Sequence, residues 1–516
     1  MKLRLVLACN PGFKAAARYT LASMLGMTGL PFEVSAAPGE GPDKRVIMFY
    51  GPEGACPPEA DVSIVAGSER PSSGELPVQV VGDSVQISAD VVAAAFSLLT
   101  HFAGNDHTLG EPLVNRYAWR LGELVLEAAW RKGLPCLQVL PWPKGHRHAV
   151  VLSHDVDQTE LDNPANGLRV LRLAIKTREW RGFPRGLFYM VQGLWGRLAH
   201  RGMDPAWQFE RIMALEQEHG FRSSFYFVPL ATSAGRDPAY DIDDSRMRAI
   251  IRQLCDGGWE IGVHGSYHSY RNAGQLRRER EKLEAVLGGA AAGIRQHYLR
   301  FAGNETFSAQ EQAGYSYDTS LGYTRTTGFR AGIAAPFHPF DTKRMEPLAL
   351  LELPLVVMDG VLFWYLGCDV RRAVEHTVEM VNLAREYGGL SVLLWHQRAG
   401  DEQRYPGWWQ AYEQVVRYLH HQADAWVVTA DQVARWWLAR ERLQVETARD
   451  KDGHWYWSCH APQSLEGLVL GVRAAGNLRI AVRGAEAEIE MGERGEMLVR
   501  LEQLSAGQDF DVVVST

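Results

Sequence analysis

The sequence predicts an α/β protein organised around a parallel, barrel-like domain, with a separate α/β unit ahead of it and a small antiparallel β module behind it. Three observations lead there. Between about residues 147 and 438, short apolar runs alternate with helical stretches. Several helical stretches are stopped by glycine, at Gly220, Gly257-Gly258, Gly288-Gly289, Gly314 and Gly388-Gly389. The apolar runs end in residues able to do chemistry: Asp155 and Asp157, then His264, then His396. In parallel α/β sheets and barrels, such side chains gather at the C-terminal strand ends.

Residues 1–143 form the first unit. Segments 3–9, 31–35 and 45–49 read as strands, and 15–27, 91–102 and 112–132 as helices. Segments 36–44 and 66–76 are rich in Gly, Pro, Ser and charge and read as loops. The adjacent pair Asp106-His107 reads as a solvated loop rather than a site. Residues 144–440 carry the barrel pattern. Strands are expected at 147–153, 223–228, 259–263, 296–301, 348–357, 390–395 and 425–429. The helices between and after them fall at 166–200, 205–219, 245–256, 273–287, 308–313, 370–387 and 432–438. A charged linker, 440–452, leads to a β module over 453–516, with alternating segments at 467–472, 478–482, 486–491, 496–501 and 509–514. Trp455 and Trp457 alternate along a strand there and read as a packed face rather than a sugar-stacking platform.

Composition narrows the classes of function. A chain of 516 residues has room for about three domains, and a hydrophobic share of 46% with 22% charged residues is that of a globular protein. A net charge of −7 gives no global attraction to nucleic acid or to an anionic membrane. The six cysteines are scattered with no Cys-x2-Cys pair, which argues against a zinc ribbon or a disulfide framework. The first apolar run is too short for a signal peptide, and no run of eighteen apolar residues occurs, so a cytoplasmic protein without a transmembrane segment is expected.

The chemistry converges on one set. His264-Gly-Ser-Tyr-His268 places two imidazoles four residues apart in a turn after an apolar run. Neutral imidazole is a good ligand for zinc and its neighbours. Two imidazoles and one carboxylate of the Asp155-Val-Asp157 pair would make a divalent site with a position open for water. The second carboxylate would then be free to take a proton from that water. His396 is placed to protonate a departing amine, and Arg295 offers a fixed charge that would keep the base ionised.

The order Ser153-His-Asp-Val-Asp157, His264-Gly-Ser-Tyr-His268, Arg295-Gln-His-Tyr298 and Leu394-Trp-His396 resembles the polysaccharide deacetylases of carbohydrate esterase family 4. It is closest to the branch with His-Asp-Val-Asp in place of the usual Thr-Phe-Asp-Asp-Gly. The resemblance covers about residues 145–440. It implies a distorted (β/α)7 barrel and metal-dependent N-deacetylation of acetylated amino sugars. Carried over by position, Asp155 is the base, Asp157, His264 and His268 are the metal ligands, and Arg295 tethers Asp155. The Tyr298 N–H helps hold the oxyanion, Leu394 walls the acetyl pocket and His396 is the acid. The chain departs from the family at Val156, between aspartates that are usually adjacent, and at His297, an extra imidazole without an assigned role. Asp359 is the candidate for orienting His396, and Arg330 the candidate for a substrate contact.

The expected function is therefore a hydrolase that uses a divalent metal, Zn2+ first and Co2+, Mn2+ or Ni2+ as alternatives, on an acetylated saccharide or glycoconjugate. Two alternatives remain: an amide hydrolase opening a small cyclic amide or imide on the same scaffold, and a non-catalytic carbohydrate-binding protein. The sugar, the oligomeric state and the roles of both flanking modules are not legible.

Overall fold

The computed structural model describes residues 2–35, 45–71, 75–102, 110–159, 164–199, 206–476, 478–493 and 495–515. The Asp106-His107 pair and the 36–44 loop lie outside them. The first unit is a six-stranded sheet in the order Phe32–Ser35, Leu3–Leu7, Ile47–Gly51, Val62–Val65, Ser84–Ile87, Val78–Val81. Its first five strands run parallel and the last pairs antiparallel in a hairpin turned at Gly82, whose φ of 63° suits glycine. Helices Lys14–Thr28, Val91–His101 and Leu113–Arg131 cover it. The central strands are mostly apolar and almost wholly buried because parallel strands are shielded on both faces.

The second unit is a distorted parallel barrel. Strands His148–Val156, Ser224–Phe227, Glu260–Gly265, Gly293–Gln296 and Tyr317–Asp318 follow one another side by side, each parallel to the next. Leu351–Glu352 adds to Tyr317–Asp318, while Leu355–Met358 pairs with Leu390–Leu394, which returns to His148–Val156. One broken strand therefore closes the ring, and the break falls at Pro354, which has no N–H to donate. Ala425–Val428 is an eighth segment, laid along the first half of the His148 strand. The barrel interior holds Tyr226 and Tyr317, whose hydroxyls meet at 3.0 Å. Space for them comes from glycine: a Cβ on Gly293 would stand 1.9 Å from the Tyr317 ring and one on Gly262 2.6 Å from the Tyr226 ring. A pair of helices, Pro164–Thr177 and Gly182–Ala199, is inserted between the first and second barrel strands.

The C-terminal residues supply seven strands to two four-stranded antiparallel sheets. Trp457 is fully buried there, as a packing residue would be. Cys136–Val139, which ends the first unit in sequence, pairs antiparallel with Leu465–Arg473 and joins one of these sheets. Arg440 ties the same junction by donating to the carbonyls of Val139, Leu140 and Gly26.

Candidate metal centre

The strand His148–Val156 is buried along its whole length. Side chains alternate across a strand, so the Asp-x-Asp spacing turns Asp155 and Asp157 to the same side. His154 points the other way, between the Trp395 carbonyl at 2.7 Å and Glu216 at 2.8 Å, and is a packing residue.

Asp157 is the hub. Its Oδ1 lies 3.6 Å from His264 Nε2 and 3.4 Å from His297 Nε2. Its Oδ2 lies 2.9 Å from Arg398 Nη1 and 3.4 Å from His396 Nε2. His264 belongs to strand Glu260–Gly265 and stands in register with Arg295, and His297 directly follows Gly293–Gln296. Adjacent parallel strands thus deliver the two rings to one point.

Both rings are oriented from behind. His264 Nδ1 lies 2.8 Å from the Arg295 carbonyl, which can only accept, so Nδ1 carries the proton and Nε2 presents its lone pair. His297 Nδ1 lies 3.0 Å from Asp237 Oδ1. Asp237 is fixed in turn by the N–H groups of Thr232, Ser233 and Tyr267 at 2.6–2.8 Å. Such backing carboxylates and carbonyls are what orient metal-binding histidines. Asp157 Oδ1 is buried without a hydrogen-bond partner. A buried carboxylate oxygen facing two imidazole nitrogens is unfavourable unless positive charge sits there. Against burial, Asp157 and Asp237 raise the His297 pKa to about 9, and a divalent ion between the donors would take the place of that ring proton. The donor atoms of Asp157, His264 and His297 all lie within 4.8 Å of one another and form a group able to hold a metal ion. Ligand atoms around a tetrahedral zinc ion at about 2.1 Å would be roughly 3.4 Å apart, close to the 3.4 and 3.6 Å found here. A divalent ion fits.

Asp155 sits beside this group. Its Oδ1 accepts from Arg295 Nη1 at 2.9 Å, and its Oδ2 lies 3.6 Å from His264 Nε2. Arg295 is fully buried, donates to Ser153 Oγ and the Thr319 carbonyl, and lies over the Tyr226 ring. Burial works against the Asp155 carboxylate, but His264, Arg295 and His396 hold its pKa below the usual value. Burial likewise opposes charge on Asp157, and Arg398 with His297 holds its pKa well down. On the far side of the site, His396 Nδ1 lies 2.6 Å from Asp359 Oδ1, and its backbone N–H donates to Asp359 Oδ2 at 2.7 Å. Burial disfavours the imidazolium, yet Asp359 overrides it and raises the His396 pKa.

His268, the second histidine of the His-x3-His pair, does not join the group. Its ring is half exposed and lies 3.3 Å from Glu179 Oε1, while its N–H donates to Thr232 Oγ1. His297 occupies the place beside Asp157 and His264 that the spacing assigned to His268. Tyr298 has φ 61°, a left-handed conformation that costs a non-glycine residue about 1–2 kcal/mol, and its half-exposed ring lies against His297. Leu394 is fully buried at the end of its strand, level with Ser153. Arg330 makes none of these contacts; it donates to the Gly322 carbonyl and lies over the Phe301 ring. Neither Asp237 nor Arg398 is singled out by the sequence. Arg398 stands two residues after His396, a spacing that could have flagged it, but nothing marks Asp237, which lies in a loop far along the chain.

No family model matches the chain, and no curated protein does. Among solved structures it is similar to one described as a "putative polysaccharide deacetylase from Mycobacterium smegmatis", at 20% identity and a TM-score of 0.41, covering 61% of this chain and 98% of that one. It is also similar to Puue allantoinase, at 14% identity and a TM-score of 0.38, covering 58% and 92%. A third is the peptidoglycan deacetylase PdaC from Bacillus subtilis, at 12% identity and a TM-score of 0.27, covering 57% and 92%. Likenesses this distant assign neither a family nor a reaction, and the chemistry rests on the geometry above.

Proposed function

We propose that the protein is a metal-dependent hydrolase that removes the N-acetyl group from an acetylated amino sugar in a saccharide or glycoconjugate. The observation that carries this reading is the orphaned Asp157 Oδ1 facing two back-oriented imidazoles, flanked on one side by an arginine-held carboxylate and on the other by a carboxylate-held histidine. Asp157, His264 and His297 would hold the ion, with zinc the best match to two imidazoles and a carboxylate. When bound, it supplies Lewis acidity to a water and to the acetyl carbonyl.

The chain's own residues do the rest. Asp155 takes a proton from the attacking water at Oδ2, the oxygen that Arg295 leaves unengaged. Arg295 keeps that carboxylate ionised and fixes its plane. His396, held by Asp359 through Nδ1, turns Nε2 to the site and gives its proton to the departing amine. The Tyr298 N–H, set by its left-handed turn, helps hold the oxyanion, and Leu394 closes the acetyl pocket. Arg398 neutralises the outer oxygen of Asp157.

Acetate release from a panel of N-acetylated oligosaccharides by zinc-loaded protein tests the reading. Wild-type protein is expected to release acetate, and Asp155→Asn to retain metal while losing turnover by about a hundredfold or more. Turnover of small cyclic amides without acetate release would replace this reading with the cyclic-amide one. Sugar binding that survives Asp155→Asn with no turnover of either substrate would favour a binding protein.

A further inference from the structure

The inserted helices Pro164–Thr177 and Gly182–Ala199 do not behave like the rest of the surface. Leu187, Phe188, Val191, Leu194 and Trp195 are all exposed and fall on one stripe of the second helix, at i, i+1, i+4, i+7 and i+8. Leu168 and Ile175 are exposed on the first helix, and Trp180, 73% exposed, stands in the bend between the two. The opposite side of the pair is the packed one: Val170 and Ala174 join Ala234 in a small core of their own. The helices cross closely, since a Cβ on Gly167 would lie 2.5 Å from the Gly186 carbonyl oxygen. Their outer apolar residues therefore form part of one unit. A surface with this many large apolar side chains on one element is unusual for a protein that meets only water.

Charge says what meets it. Residues 164–199 carry seven arginines and lysines against one acid, Glu179, within a chain whose net charge is −7. Arg172 and Lys176 are exposed beside the Leu168–Ile175 stripe, and Arg178 and Arg181 flank Trp180. Tryptophan, phenylalanine and leucine on one face with flanking basic residues is the pattern of a helix that lies in a membrane interface. No helix among the described residues is long and apolar enough to cross a bilayer, so the pair would lie on the surface rather than span it. A second copy of the chain is a poor occupant, because two such basic faces repel.

We propose that this helical pair docks the protein on an anionic phospholipid surface. The pair is fixed to the rim of the metal centre. Glu179, in the bend, accepts from Ser233 Oγ and the Gly235 N–H and lies 3.3 Å from His268 Nε2. Ser233 also donates its N–H to Asp237, the residue that orients His297. Docking through the pair thus sets the lipid surface on the side of the barrel where the catalytic strand ends open. The inference does not depend on which reaction the centre performs.

Flotation of the full-length protein with vesicles tests it. Wild-type protein is expected to float with phosphatidylcholine vesicles containing phosphatidylglycerol, less with phosphatidylcholine alone, and to be released by salt. Phe188→Glu/Trp195→Glu, at two exposed positions, is expected to lower binding at least about tenfold with an unchanged thermal melt. Arg172→Glu/Arg181→Glu keeps the apolar stripe and is expected to abolish the preference for anionic vesicles. Wild-type protein that does not float, or a Phe188→Glu/Trp195→Glu variant that floats like wild type, would overturn the proposal. So would a dimer dissolved by that variant in protein that does not bind vesicles, which would give the face to a second copy.

Discussion

Replacing His297 and His268 separately by alanine separates what the geometry says from what the motif says. His297→Ala removes one of three donors that lie within 4.8 Å of one another and leaves Asp157 and His264 alone. Losing even the residues behind a metal ligand costs about 10–100-fold in affinity, so loss of the ligand itself is expected to weaken zinc binding by at least about 100-fold, or about 2.7 kcal/mol. His268 lies outside the trio, half exposed, with a 3.3 Å contact to Glu179. A surface pair of that kind contributes about 0–1 kcal/mol to stability, and His268→Ala is expected to leave zinc affinity within about threefold of wild type. Competition with a chromophoric chelator on metal-stripped protein measures both. Weakened binding in His268→Ala with unchanged binding in His297→Ala would refute the assignment and restore the spacing-based one.

Three further outcomes follow from the same structure. Asp359→Asn removes a charged hydrogen bond to His396 Nδ1, of a kind worth about 1.5–3 kcal/mol; kcat on an acetamide should fall about 10–100-fold and less on an acetate ester with a good leaving group, and equal losses would deny His396 its acid role. Gly293→Ala places a methyl group 1.9 Å from the Tyr317 ring and should cost about 1–3 kcal/mol or more in a urea melt; an unchanged midpoint would show that the barrel interior yields more easily than its packing implies. Buried Glu279 has its carboxyl pushed up from 4.5 to about 7, because burial outweighs the hydrogen bonds from Ser266 and Gln275. The folded state therefore holds that proton more tightly than the unfolded chain, and its contribution is full below pH 4.5 and lost as pH rises through about 7. Between pH 5 and 8, Glu279→Gln should gain roughly 2–3 kcal/mol relative to wild type; a difference that does not change with pH would contradict the shift.

The barrel is legible because its strands are built on short apolar runs and its helices stop at or just before glycine. The closing strand shows the limit of that reading. Residues 348–357 scan as one run, but Pro354 divides it between two neighbours, and periodicity carries no information about partners. Cys136–Val139 is the same case: it reads as the end of the first unit and pairs with a strand more than three hundred residues later. In the site, the two-residue spacing of Asp155 and Asp157 translates directly into a shared face on a strand. The four-residue spacing of His264 and His268 does not. It would put two rings together on a helix, but after Gly265 the chain turns through 266–269, and Thr232 and Glu179 take His268 outward. The second ring arrives instead from the neighbouring strand, where His297 stands beside His264, the two ring centroids 4.9 Å apart. Arg398 reaches the site from the 3-10 turn that follows His396, and Asp237 from a separate loop that only the folded arrangement ties to it.

The most direct test of the central claim is acetate release from an N-acetylated oligosaccharide while metal-stripped protein is titrated with zinc. The account predicts no release without metal, a rise that saturates at one ion per chain, and no rise in His264→Ala/His297→Ala protein. Full activity in stripped protein, or an equal response to zinc in that double variant, would contradict it.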